Sequence, residues 1–182
     1  WSPQINYFKN YSTITYDLLG HGRTPFKKEK IKMQDYIEQL LSIIEFLKVE
    51  KINLVGFSIG SLIALNFATD FQKKLNSLTL IATTYKRTEE QRQAVIDRVN
   101  LAKKNKEISQ LAMKRWFTDE YLKKNPIIYE KFTKILTKNS EDQKNFIKAY
   151  ELFAHYKDDL EKIKKINTKT LVMTGSIDPG ST

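Results

Sequence analysis

Residues 51–68 read KINLVGFSIGSLIALNFA, and their interpretation decides the fold. Ile52 to Val55 is a short run of mostly apolar, partly β-branched residues, whereas the apolar run beyond Gly60 is longer and has helical character. Only a glycine-flanked serine separates the two, so the stretch predicts a strand, a sharp turn and a buried helix. Gly56-Phe57-Ser58-Ile59-Gly60 fits G-x-S-x-G, a turn that strains the serine backbone and stands its hydroxyl clear of a sheet. Glycines two residues to either side are expected where strand and helix backbones approach too closely for a Cβ. Ile59 then opens the helix. Its amide, unpaired at the positive end of the helix dipole, can donate to a developing oxyanion. Such pentapeptides also arise by chance; the strand before and the helix after are the context that distinguishes a reactive serine.

Upstream, Met33, Tyr36, Ile37, Leu40, Ile44 and Leu47 repeat at three and four residues between Ile31 and Val49, the pattern of a helix with one buried face. Before it, Thr13 to Tyr16 is a β-rich run that ends in Asp17-Leu18-Leu19-Gly20-His21-Gly22-Arg23-Thr24-Pro25, predicting a strand followed by an irregular loop. Residues 1–10, with Ile5 and Phe8, suit a short surface turn or helix. His21 invites a catalytic reading, yet a histidine between two glycines in such a loop more often holds the loop's shape. Downstream, Asp70 to Ser77 reads as a polar connection and Leu78 to Ala82 as a second apolar strand. Strands apolar on both faces that alternate with helices indicate an α/β fold with a parallel sheet and helices on both faces.

Residues 85 to about 166 interrupt that alternation with some four helical patterns, around Val95 to Val99, Ile108 to Trp116, Ile128 to Leu136 and Phe146 to Phe153. Thr88 with Gln91 and Ser140 with Gln143 have capping-box spacing, and Pro126 suits a first helical position. Between residues 84 and 168 there are 20 Lys and Arg against 13 Asp and Glu, so this insert carries most of the net charge of +10. A third strand, Lys169 to Thr174, then runs into Gly175-Ser176-Ile177-Asp178. An acid just past the carboxyl end of a parallel strand sits on the rim where such sheets place their sites. Asp-Pro-Gly is equally a common turn sequence.

At 182 residues, 41% of them apolar, the chain can form one domain with a core. No window approaches the roughly 18 apolar residues of a membrane span. With no cysteine, disulfides, thiolate metal sites and a cysteine nucleophile are excluded, and two histidines make a histidine-rich metal centre improbable. The lysines are scattered among acids, without a basic block interleaved with aromatics, so a solvated surface is expected rather than a nucleic-acid or membrane partner. The sequence starts at Trp1 rather than methionine, and Asp178 to Thr182 look like the opening of a loop, so both ends are expected to be cut.

Together these pieces resemble the α/β-hydrolase superfamily over the whole chain. The Asp17 to Pro25 loop is similar to that fold's D-x-x-G-H-G-x-S/T segment, Gly56 to Gly60 to its nucleophile elbow, and Gly175 to Asp178 to its G-x-x-D acid loop. The resemblance implies an incomplete hydrolase core over 1–84 and 167–182 and a helical cap over 85–166. Serine followed by acid is that family's order, so it implies Ser58 as nucleophile, Asp178 as the acid that orients a histidine, and the Ile59 amide as an oxyanion donor. Within the superfamily, Lys114-Arg115-Trp116-Phe117-Thr118, the following Pro126 and the ending Thr174 to Thr182 most resemble 3-oxoadipate enol-lactonases. Cofactor-free haloperoxidases, small esterases and acyltransferases share much of the pattern, whereas a serine at the elbow argues against dehalogenases with an aspartate nucleophile.

The resemblance also implies what falls outside these residues: a catalytic histidine after the acid and a second oxyanion amide before Trp1. His155 precedes Asp178 in a helical pattern, so it does not fit that histidine's place. The 182 residues alone are therefore expected to have little or no hydrolase activity. The implied enzyme is cytoplasmic, needs no cofactor or metal, and acts on a small-molecule ester or lactone. Arg115 is expected to pair with a substrate carboxylate and Trp116 to supply an apolar wall. The competing readings are a surface cation for Arg115, cap core for Trp116, and a non-catalytic binding protein for the whole.

Overall fold

The computed structural model describes residues 1–182 apart from 105–107, 137–139, 179 and 182; the side chains of 108–111 and 140–143 are likewise outside the described residues. The expected Ser140–Gln143 capping box, the apolar positions Ile108 and Leu111, and Pro179 of the acid loop fall there. The chain opens with the four-residue helix α1 (Ser2–Ile5). The run Thr13 to Tyr16, predicted to be a strand, pairs with nothing among the described residues and is a correction to the sequence reading. A β-rich run needs a ladder partner, and here the described sheet starts later in the chain. Tyr16 still packs against the core, and burial pushes its hydroxyl up to about 12.

Helix α2 (Met33–Phe46) starts where Asp35 accepts from the Lys32 amide at 2.7 Å, and it buries Tyr36, Ile37, Leu40 and Ile44, the face its periodicity requires. Strand β1 (Ile52–Phe57) leads through Ser58 into α3 (Ile59–Phe71), and β2 (Leu75–Ile81) follows a single 3₁₀ turn. Strand β2 begins three residues earlier than its apolar run, because Leu75 is buried and Ser77 Oγ donates to Asn53 Oδ1 of β1 at 2.8 Å. Local hydrophobicity does not reveal such a cross-strand bond. Beyond β2 come α4 (Glu89–Lys103), α5 (Ile108–Trp116), α6 (Asp119–Lys124), α7 (Pro126–Leu136), α8 (Ser140–His155) and α9 (Leu160–Ile163), then strand β3 (Thr170–Met173). Pro126 does open a helix, and Thr88 and Gln91 form the reciprocal cap of α4.

The three strands among the described residues are parallel in the order β1-β2-β3, with Phe57 opposite Ile81 and Ile81 opposite Met173. Helix α3, buried from Ser61 to Leu65 and again at Phe67 and Ala68, packs on β1 and β2 and against α2 in one apolar cluster with Leu78 and Leu80. Each such buried leucine or phenylalanine is worth about 1.5–3 kcal/mol, so this face fixes the elbow between strand and helix. The opposite face, with Val55 and Phe57 of β1, is uncovered among the described residues, and all of β3 is exposed. Helices α4 and α8 pack together through Val95, Val99 and Ala154. The segment is also braced by polar bonds within itself: Arg87 Nη2 donates to the carbonyls of Phe153 at 2.7 Å and Tyr156 at 3.1 Å, and Arg92 Nη1 to that of Tyr156 at 2.8 Å, while Leu152 of α8 packs against the main core. Asn66 of α3 donates to the Tyr156 hydroxyl at 2.8 Å, tying this junction to the helix that follows the elbow.

Candidate active site

Ser58 has φ 54° and ψ −120°, a left-handed conformation that an L-residue adopts only under constraint from both sides. The constraint from the sheet is the Ser58 amide, which continues the ladder by donating to Ile81 O at 2.9 Å. The constraint from the helix is the Ser58 carbonyl, which accepts from the amides of Ser61 at 2.9 Å and Leu62 at 3.3 Å. Gly56 is what lets the two meet: a Cβ there would lie 2.2 Å from Gly60 O and 2.7 Å from Ser61 Cα. Gly60 differs from expectation, because a Cβ on it meets nothing within 4 Å. The close approach is therefore made by the backbone of Gly60 on the hydrogen of Gly56, and only the first glycine is sterically required. Ile59 is the first helical residue, so its amide has no carbonyl a turn earlier to pair with and stands beside Ser58.

The acid loop begins two strands away on the same rim. Ala82 donates to Met173 O at 2.9 Å, extending the ladder past the strand ends just as Ser58 does, so Ser58 and Thr174 leave the sheet at the same rim, roughly 10 Å apart with β2 between them. The loop closes on itself. Asp178 N donates to Gly175 O at 3.0 Å, Gly180 N donates to Asp178 Oδ1 at 2.8 Å, and the buried Ser181 donates to Asp178 Oδ2 at 2.5 Å. Thr174 Oγ1 is in turn hydrogen-bonded to the Ser181 hydroxyl. Burial pushes the Asp178 carboxyl up, but the bonds from Ser181 and Gly180 and the nearby positive charge of Arg115 outweigh it and hold the group below its ordinary value.

Arg115 thus reaches the acid loop from α5. Its Nη2 lies 2.6 Å from where a Cβ on Gly180 would sit, so the absence of a side chain there makes room for the guanidinium. Trp116, next along the helix, packs edge-on to Phe132 with ring centres 6.3 Å apart while about half of it (51%) stays exposed, which leaves an apolar surface beside Arg115.

Of the two histidines, one is engaged in its own loop and one is exposed at a helix end. His21 Nδ1 is 3.1 Å from Leu19 O and its amide donates to Leu18 O at 2.8 Å, so it shapes the 17–25 loop. That loop is held from α2, with Tyr36 donating to Leu19 O at 3.2 Å and Gln39 to Asp17 O at 3.0 Å. His155 is exposed at the end of α8. Sequence reading missed Ser61, Thr174 and Ser181; the last two flank the Gly175–Asp178 motif within the ending Thr174 to Thr182, but nothing in their spacing marks them as partners of Asp178. A shallow recess lined by Gln72, Lys73, Leu75, Asn76, Asn167, Thr168 and Lys169 opens at the amino ends of β2 and β3, away from this rim.

A family model described as alpha/beta hydrolase fold matches residues 1–181. The chain belongs to the alpha/beta hydrolase family. Among curated relatives, (E)-2-((N-methylformamido)methylene)succinate hydrolase of Acinetobacter baylyi is 30% identical over 187 residues, covering 100% of this chain and 68% of that protein. The 3-oxoadipate enol-lactonase 2 of the same organism is 27% identical, over 100% of this chain and 67% of its own length. Among solved structures, the enol-lactonase from Burkholderia xenovorans LB400 has a TM-score of 0.83 at 20% identity, covering 97% of this chain and 67% of that one. At that identity the likeness shows the fold alone. The chain spans about two-thirds of the length of these proteins.

Proposed function

We propose that this chain carries the nucleophile and the acid of a serine hydrolase that cleaves a carboxylic ester or lactone of a small molecule in the cytoplasm. The observation that carries the proposal is the strained conformation of Ser58 at a strand–helix junction, with φ 54° in a residue that is not glycine. Ser58 Oγ attacks the carbonyl carbon while its proton passes to a histidine from sequence outside residues 1–182. Asp178 holds that imidazole's tautomer, and the Ile59 amide donates to the oxyanion. Water then cleaves the acyl-enzyme. On this reading residues 85–166 are a cap, and the 182 residues without the histidine are inactive.

The substrate carries a carboxylate. Arg115 on the rim supports this, as do the names of two relatives, which refer to succinate and 3-oxoadipate derivatives. Trp116 provides the apolar wall next to it.

The test uses the protein extended on both sides to the length of its relatives, assayed on an anionic enol-lactone and a neutral p-nitrophenyl ester. Arg115→Ala should raise KM for the lactone about tenfold, the equivalent of one charge-assisted contact, with the ester unaffected. An unchanged KM removes Arg115 from the substrate site. No turnover of either compound by a folded protein favours the non-catalytic binding reading.

A further inference from the structure

The Ser58 carbonyl has a third donor, and it comes from a side chain. Ser61 is fully buried, and its Oγ donates to Ser58 O at 2.5 Å, closer than either the Ser61 amide at 2.9 Å or the Leu62 amide at 3.3 Å. A serine hydroxyl inside a helix usually bonds back to a carbonyl of the preceding turn, with little consequence beyond a slight bend. Here that carbonyl belongs to Ser58, held at positive φ between β1 and α3. The peptide groups on its two sides are fixed to different elements: the amide to Ile81 in the sheet, the carbonyl to the first turn of α3. Any relaxation of Ser58 toward an ordinary conformation must rotate one of these peptide groups, and three convergent donors oppose that rotation on the helix side. The Ser61 backbone lies close against strand β1, its Cα 2.7 Å from where a Cβ on Gly56 would be, and the residue is fully buried.

We infer that Ser61 is a positioning residue for the nucleophile, its hydroxyl locking the Ser58 carbonyl so that the strained elbow presents Oγ in one orientation. The inference rests on the reading of Ser58 as nucleophile. Ser61 touches no reacting atom; it acts through the backbone of Ser58, so its loss affects the rate of attack and leaves substrate binding alone. In Ser61→Ala the two amide donors remain, so the carbonyl is not orphaned and the fold is retained, while the orientation loosens.

The test is made in the protein carrying its flanking sequence. Reactive sites are counted with a fluorophosphonate, and kcat is then expressed per labelled site. Ser61→Ala should label to the same final stoichiometry as the unmodified protein, with the labelling rate constant and kcat per site reduced about fivefold to tenfold and KM unchanged. Ser61→Cys, which keeps the shape but donates weakly, should show the same deficit, and it serves if the alanine variant does not fold. A rate per labelled site equal to that of the unmodified protein in either folded variant overturns the inference. So does activity that falls only in proportion to the labelled fraction, the mark of a purely structural role. Failure of the unmodified protein to label at all is a different result, which refutes the hydrolase reading itself.

Discussion

The two glycines of the elbow look equivalent in the sequence and are not equivalent in space. At Gly56 an added Cβ would run into the carbonyl oxygen and carbon of Gly60 at 2.2 and 2.6 Å, both of them backbone atoms that cannot rotate away. At Gly60 the same atom would meet open space on a helix. Gly56→Ala should therefore cost about 2 to 3 kcal/mol through overpacking, while Gly60→Ala should be neutral or stabilising by up to about 1 kcal/mol through helix propensity. Urea denaturation of the two variants checks this, and equal losses at both positions would contradict it. Ser58 itself was legible from local pattern alone, since the strand, the turn and the helix are contiguous. Ser61 was not, because a buried serine three residues into a helix carries no sign in the sequence of the carbonyl it bonds. Arg115 was picked out as a candidate ligand, but its approach to Gly180 depends on how a distant helix packs, which spacing along the chain does not encode.

At the scale of elements, the acid loop is a short self-closed turn whose shape depends on one carboxylate being ionised. With Asp178 held below its ordinary value of 3.8, the folded loop gains stability that is fully present above that value and is lost as pH falls through the lower, folded-state value. Ser181→Ala removes the largest opposing contribution to burial and should move the Asp178 midpoint upward, so that this stability disappears at a higher pH. Side-chain carboxyl NMR titration reads the shift directly. An unmoved midpoint would mean that the Ser181 bond does not hold the carboxylate. The longer elements were predictable because their period repeats over several turns: α2 and α3 lie where their apolar faces require. The misses are short or depend on partners. Helices α6 and α9 have six and four residues, too few for a period to show. The extra start of β2 is set by a bond across to β1, and Thr13 to Tyr16 has β composition without a ladder to join.

The molecule as a whole is a three-stranded parallel sheet with one face built and one face bare among the described residues, and a lysine-rich helical segment braced internally by arginine-to-carbonyl bonds at Phe153 and Tyr156 and bonded to α3 where Asn66 meets the Tyr156 hydroxyl. Serine and acid stand on the same rim because parallel strands all end on one side; the carboxyl ends of β1 and β3 are in register through Ile81. That arrangement follows from the alternation of strands and helices, which is why fold and rim were legible together. The claim on which the functional account depends is that Ser58 is an activated nucleophile. Intact-mass measurement of the protein with its flanking sequence, after brief exposure to a fluorophosphonate, tests it most directly. The account predicts one stoichiometric adduct, located on Ser58 by peptide mapping and absent from Ser58→Ala. A folded protein that acquires no adduct, or that acquires the same adduct in Ser58→Ala, would contradict it.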